Sequence, residues 1–270
     1  MLKRTITGAF ITAAIYAVLY FSNIPGILLC AVAVIVAFSV YELCHATDLS
    51  GNEAYLTLTL LCSVGLTLWD MPFYRQIIQV ALPLAAIGAV VLMLLGKRCS
   101  LQHPVKAAVL TLLVVLLYKA FPALRGIHGG GYYLTGAVTV CFVTDVAAYL
   151  VGRSLGKHKL ISKVSPNKTA EGAIGGTLFA VLFMMVFGLC LDHGFALAID
   201  YKLLAIYAAA ASVVGQFGDL ALSAVKRVCA IKDFGNIFPG HGGMLDRFDS
   251  HLFAVAFTLV FCYTTGGYIL

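Results

Sequence analysis

Charge is what this sequence has least of. Charged residues fill 11% of its 270 positions and hydrophobic ones 61%, where a soluble domain carries about a quarter charged residues. That balance excludes a water-soluble globular domain and makes lipid the main solvent of the chain. The eight cysteines form no C-x-x-C pair, so the sequence reads neither as a disulfide scaffold nor as a thiolate metal knuckle. Thiols scattered through apolar runs act as small hydrophobes. The seven histidines show no H-E-x-x-H or similar spacing, the pattern of helix-borne metal ligands. Internal repeats and a polar, disordered tail are also missing. The net charge of +6 is not a nucleic-acid signal: the positive-inside rule covers about half of the cations, and loops 152–172 and 226–250 hold nine, more than topology requires.

What is present is a series of apolar runs, each long enough for a bilayer that needs about 17–25 residues. Nine are read, at 5–21, 26–43, 54–69, 76–95, 105–121, 133–151, 173–191, 203–225 and 251–268. The fold class expected is all-α: a polytopic integral membrane protein of about nine transmembrane helices. The first run follows two cations but lacks a small-x-small cleavage site after its apolar core, so it is expected to stay as a helix. Lys3, Arg4, Lys97, Arg98, Lys106 and the cations of loops 152–172 and 226–250 all fall on one side. By the positive-inside rule that side is the cytoplasm, which puts the N-terminus inside and the C-terminus outside. The chain divides into N-terminal helices, 1–125, and a C-terminal region, 126–270, that carries the two basic loops.

Acids are few enough to examine singly. Most stand at span ends or in loops, but Asp145 in "TVCFVTDVAAYLVGR" and Asp219 in "ASVVGQFGDLALSAVKR" lie within apolar runs. An ionisable group inside a span is costly unless paired, and is by default a functional-site candidate. Each lies about 9 Å below the cytoplasmic end of its span, by helix rise. Equal depth on helices flanking the two basic loops points to one shared site. Asp219, Ser223 and Lys226, at i, i+4 and i+7, share a face with Arg227 at its margin, and Asp145, Tyr149 and Gly152 repeat the spacing. A structural ion pair between helices is the plainer alternative for either face.

In "GRSLGKHKLISKVSPNKTAEGAIGG", Ser165-Pro166 reads as a helix N-cap with proline in the first turn. Free N–H groups there, with Asn167, Lys168 and Thr169, would suit a phosphate. An ordinary capped helix with surface lysines is the alternative. Glycines 172, 175 and 176 would let a helix or a lipid approach closely. In "SAVKRVCAIKDFGNIFPGHGGMLDRFDS", the glycine-rich turn is followed by Asp246 and Asp249 at i, i+3. Carboxylates of this kind suit Mg²⁺, which takes a few carboxylates along with waters and substrate phosphates. The helix dipole accounts for Asp249 equally well. His241 either binds phosphate or cytosine, or fixes the glycine turn by a hydrogen bond.

The run Ser223-x-x-Lys226-Arg227, Lys232-Asp233, Gly235, Pro239, His241-Gly242-Gly243, Asp246-Arg247 and Asp249 resembles the C-terminal motif of the phosphatidate cytidylyltransferases, the CDP-diacylglycerol synthases. The block from Asp145 through Tyr149, Gly152, Ser165-Pro166-x-Lys168 and Glu171-Gly172 is similar to the family's other characteristic stretch. The first 130 residues match only in being several spans.

The resemblance implies that phosphatidic acid and CTP give CDP-diacylglycerol and pyrophosphate, at the cytoplasmic face of a bacterial inner membrane. It implies Mg²⁺ on Asp219 and Asp246, with Asp145 a further candidate, and also a potassium ion and a homodimer. Lys226, Arg227 and Asp249 would join the catalytic set. Ser165, Asn167, Lys168, Thr169, Ser223, Lys232, His241 and Arg247 would meet substrate phosphates. Two other readings stand beside it: a cytidylyltransferase for another lipid phosphate, and a secondary transporter with Asp145 and Asp219 as ion sites. The D-G-x-x-A-R ladder of CDP-alcohol phosphotransferases is absent.

Overall fold

A computed structural model describes residues 2–24, 26–47, 53–69, 102–195, 197–238, 240 and 242–266. The apolar run expected at 76–95, together with Pro239 and His241, lies outside the described residues. The elements in chain order are α1 (Leu2–Phe21), α2 (Ile27–Ala46), α3 (Glu53–Leu68), α4 (Gln102–Arg125), α5 (Gly130–Leu155), β1 (Lys159–Ile161), β2 (Ser165–Thr169), α6 (Ala170–Phe195), α7 (Tyr201–Val228) and α8 (Leu245–Thr265).

Six of these helices are long and apolar enough to cross a membrane: α2, α4 from Ala107, α5, α6, α7 and α8. With so few charges to place, their outer faces carry large apolar side chains. On α6, Leu178, Phe179, Leu182 and Val186 are all more than half exposed. Such a face is stable only against lipid or another apolar surface. The chain is an integral membrane protein of largely helical fold.

The described residues group into two compact units, one from 2–119 with 228–248, the other from 120–227 with 249–266. In the first, α2 packs on α1 and α3. The Ser39 hydroxyl meets the fully buried Tyr118 hydroxyl of α4 at 2.9 Å.

In the second unit, α5 and α6 form the most extensive helix pair. Small residues bring the two backbones together. A Cβ on Gly172 would stand 2.7 Å from the carbonyl oxygen of Ala148, and one on Gly176 would stand 2.8 Å from that of Thr144. The glycines therefore admit a helix, in the small-xxx-small manner of membrane interfaces. Helix α7 opens on Asp200, whose Oδ1 accepts the N–H groups of Lys202 and Leu203 at 3.0 and 3.1 Å, a side-chain N-cap.

One local expectation is corrected. Ser165-Pro166 does not start a helix; Ser165–Thr169 is a strand, paired antiparallel with β1 through Lys159 with Thr169 and Ile161 with Ser165. Proline lacks an N–H but fits the edge of a two-stranded ribbon as readily as a first helical turn. The helix begins four residues later, where the Thr169 hydroxyl accepts the Gly172 N–H at 3.1 Å and supplies the cap. The hairpin is tied down by Glu171, which takes the His158 N–H at 3.2 Å and the His158 Nδ1 at 2.6 Å.

The α5–α6 contact can be tested directly. Gly172→Ala and Gly176→Ala should each lower stability by about 1–3 kcal/mol, the cost of overpacking against backbone. Gly194→Ala, whose Cβ would meet nothing within 4 Å, should be neutral or slightly stabilising. Thermal unfolding of the three variants in detergent checks the contrast; equal effects would remove the close-packing account.

Candidate active site

The second unit contains a cavity of about 480 Å³ between α5, the hairpin, α6 and α7. Its walls follow from the elements just described. Helix α5 presents Asp145, Tyr149 and Gly152, spaced as one helical face; β2 presents Asn167, Lys168 and Thr169; α7 presents Gln216 and Asp219. The close approach of α5 to α6 sets the floor, with Ala148, Gly172 and Ala173. Five of the residues picked from the sequence, Asp145, Asn167, Lys168, Thr169 and Asp219, therefore share one space.

Within it, the Lys168 ammonium pairs with Asp219 Oδ2. The other oxygen, Oδ1, accepts the Ser223 hydroxyl at 3.2 Å from one turn along α7. Asp219 and Lys168 are each roughly a quarter exposed at the side chain, so the pair is shielded yet reachable. Asp249 of α8 lies within electrostatic reach of Asp219, Lys226 and Asp145. Arg227 is exposed and donates from Nε to the Val164 carbonyl at 3.2 Å, fastening the hairpin turn to the end of α7. Lys226 is buried.

Helix α7 owes its role to a polar stripe. Ser212, Gln216, Asp219, Ser223 and Lys226 follow alternating steps of four and three residues, which hold them on one face. The upper part of that stripe is knitted to both neighbours. Ser212 receives the Thr144 hydroxyl at 2.9 Å and meets Thr177 at 3.1 Å, while Gln216 Nε2 donates to Thr177 and to the Ala173 carbonyl. This network, which links α5, α6 and α7, escaped the reading of the sequence. The signal was present in the stripe itself, since Gln216 precedes Asp219 by three residues.

Of the remaining candidates, Asp246, Lys232 and Arg247 stand in the first unit and Ser165 in the second. Asp246 is buried, and its Oδ2 accepts the N–H groups of Phe234 and Gly243 at 2.8 and 3.0 Å. Lys232 is exposed and Arg247 half-buried. Glu42 of α2, read from the sequence only as an acid at a span end, accepts the N–H groups of Met244 and Leu245. Ser165 opens β2, beside the cavity-lining residues of that strand.

Among the described residues no three His, Cys, Asp or Glu side chains form a closed metal cage. Mg²⁺ is commonly held by one or two carboxylates together with waters and substrate phosphates. All candidate ligands are carboxylates, the hard oxygen donors this ion prefers, and Asp249 lies within electrostatic reach of Asp219 and of Asp145.

Lys168 and Arg153 thus line the same cavity as Asp145 and Asp219, within a membrane protein whose helices carry exposed apolar faces. The cytidylyltransferase family matches the chain over residues 2–265, and the chain belongs to that family. It is similar to the phosphatidate cytidylyltransferase of Bacillus subtilis, 49% identical over 125 residues, which are 46% of this chain and 45% of that one. The enzyme of the same name from Staphylococcus saprophyticus is 44% identical over 126 residues, 47% of each chain. That from Staphylococcus aureus strain COL is 41% identical over 126 residues, again 47% of each. The matched stretch thus spans about half the length of these curated relatives.

The interhelical network yields a prediction. Ser212→Ala removes a hydroxyl that three side chains share and should cost about 1–2 kcal/mol, the range for a hydrogen bond between membrane helices. A melting curve in detergent checks it, and an unchanged midpoint would show that the network is incidental.

Proposed function

We propose that the protein is a phosphatidate cytidylyltransferase, which joins phosphatidic acid to CTP and releases pyrophosphate, giving CDP-diacylglycerol for phospholipid synthesis. The observation that carries the reading is Asp219, held by Lys168 and Ser223 at the edge of a cavity within lipid-facing helices. Family membership and the names of its relatives support the same reaction.

The chemistry asks little of the protein beyond placement and charge. A phosphate monoester is already a nucleophile at neutral pH, so no general base is required. One of its oxygens attacks the α-phosphorus of CTP; a new P–O bond forms, and the bond to the pyrophosphate oxygen breaks. The obstacle is the repulsion of two anions, and positioning with electrostatic neutralisation overcomes it. Lys168 neutralises phosphate oxygens in the cavity, with Asn167 and Thr169 as neutral donors, and Lys226, Arg227, Lys232 and Arg247 are further candidate cations. Asp219 orients Lys168 and is itself oriented by Ser223. Asp219 and Asp246 are the residues that would hold Mg²⁺, with Asp145 and Asp249 as further carboxylates. Held there, Mg²⁺ would supply positive charge to the α-phosphate and the leaving group. A potassium ion is a second candidate cation.

Location serves the same end. We place nine spans in the inner membrane of a bacterium, N-terminus in the cytoplasm and C-terminus outside, in a homodimer. The cationic loops then meet cytoplasmic CTP, while the acyl chains of phosphatidic acid stay in the bilayer.

The test uses purified protein in mixed micelles with CTP, phosphatidic acid and Mg²⁺, following CDP-diacylglycerol and pyrophosphate in equal amounts. Asp219→Asn and Asp246→Asn should each abolish turnover in protein that still inserts and folds. Near-normal rates in either would overturn the metal assignment. Lys226→Ala should lower kcat/KM by about 10–100-fold, the worth of one charge-assisted hydrogen bond. Product only with a different lipid phosphate would reassign the substrate.

A further inference from the structure

We infer that Glu42, on the N-terminal helix α2, is a positioning residue for the glycine-rich loop and for Asp246 at its end. The inference rests on the function proposed above. Glu42 is only 2% exposed, and a buried carboxylate needs full satisfaction to be tolerated. Its two oxygens divide the work. Oε1 accepts the Met244 N–H at 2.8 Å, and Oε2 accepts the Leu245 N–H at 2.9 Å, in the opening turn of α8. Those N–H groups have no partner within their own helix, so Glu42 supplies from another helix what a local cap would supply.

The loop is shaped to receive it. A Cβ on Gly235 or on Gly243 would stand 2.3 Å from Glu42 Oε1. Two glycines of the motif are therefore explained by one side chain more than 190 residues away in sequence. Asp246 completes the clasp from within, taking the N–H groups of Phe234 and Gly243 on Oδ2. Between Phe238 and Gly242 the loop is closed by its own hydrogen bond of 3.0 Å. Four loop N–H groups, at 234, 243, 244 and 245, thus rest on two carboxylates. Gly243 is common to both: its amide holds Asp246, and its missing side chain makes room for Glu42. Withdrawing Glu42 releases Met244 and Leu245 and lets Gly243 shift, which turns the Asp246 carboxylate. A group that orients a metal-binding carboxylate in this way typically changes metal affinity by about 10–100-fold when removed.

Glu42→Gln keeps the shape of the side chain but sets an NH₂ against one of the two N–H donors; Glu42→Ala removes the clasp. Two readouts are needed. The first, hydrogen exchange on protein without substrate, should show amides in 234–246 exchanging about tenfold faster in Glu42→Gln, the worth of one lost hydrogen bond. The second is the Mg²⁺ dependence of CDP-diacylglycerol formation. Half-saturation should rise by about 10–100-fold, with a smaller rise in Glu42→Gln than in Glu42→Ala and with the melting temperature of Glu42→Gln close to that of the wild type. Unchanged exchange, or an unchanged Mg²⁺ requirement beside a productive wild type, would overturn the inference. If Glu42→Ala does not fold, Glu42→Gln alone decides. Failure of the proposed function would show differently, as wild-type protein that makes no product.

Discussion

A carboxylate within a membrane-spanning helix has to be matched by charge or by hydrogen bonds, since water is not there to do it. Asp219 is matched by both. Lys168 takes one oxygen and the Ser223 hydroxyl the other, so the carboxylate is tolerated in a lipid-facing helix. The requirement reaches outward from that pair. Lys168 can arrive only because the chain between α5 and α6 folds back as a hairpin instead of continuing as helix. The hairpin in turn is fastened by Arg227 to α7 and by His158 to the first turn of α6. The lysine that pairs with Asp219 also lines the cavity, so the ion pair is part of the cavity wall.

Backbone proximity supplies the rest of the second unit. Gly172 and Gly176 lie against the carbonyls of Ala148 and Thr144, an approach no side chain would allow. In lipid, where apolar side chains gain little by leaving their solvent, packing and interhelical hydrogen bonds carry association. The Thr144–Ser212–Thr177–Gln216 network is therefore more than decoration around the cavity. It sits beside the charged part of the same α7 face and fixes the rotation of that helix, so that Asp219 faces β2 and not the acyl chains.

The first unit solves a different difficulty, that of ordering a loop too rich in glycine to order itself. Glycine loses more conformational entropy on folding than any other residue. Glu42 and Asp246 offset that cost by gathering four backbone N–H groups. The N-terminal helices, which carry no recognisable motif, thereby contribute to the one segment of the chain most crowded with polar residues.

Much of this was legible in the sequence because polar residues are rare in it. Against an apolar background, Asp145, Asp219 and the two basic loops stood out, and helical spacing alone grouped Asp145 with Tyr149 and Gly152, and Asp219 with Ser223, as the structure has them. Family membership was legible in the run from Ser223 to Asp249. The start of α6 was misread, because Ser-Pro suits a helix cap and a ribbon edge alike, and only the pairing of β1 with Thr169 decides between them. Glu42 was passed over because an acid at the end of an apolar run is ordinary until its neighbours are known. Composition and period are properties of the chain alone, and they specify a lipid-embedded helical protein with its charges on particular helix faces and loops. Partnership comes from the fold. The pairing of Lys168 with Asp219, of Gly172 with Ala148 and of Glu42 with Met244 depends on distances between segments remote in sequence, and no local propensity encodes those.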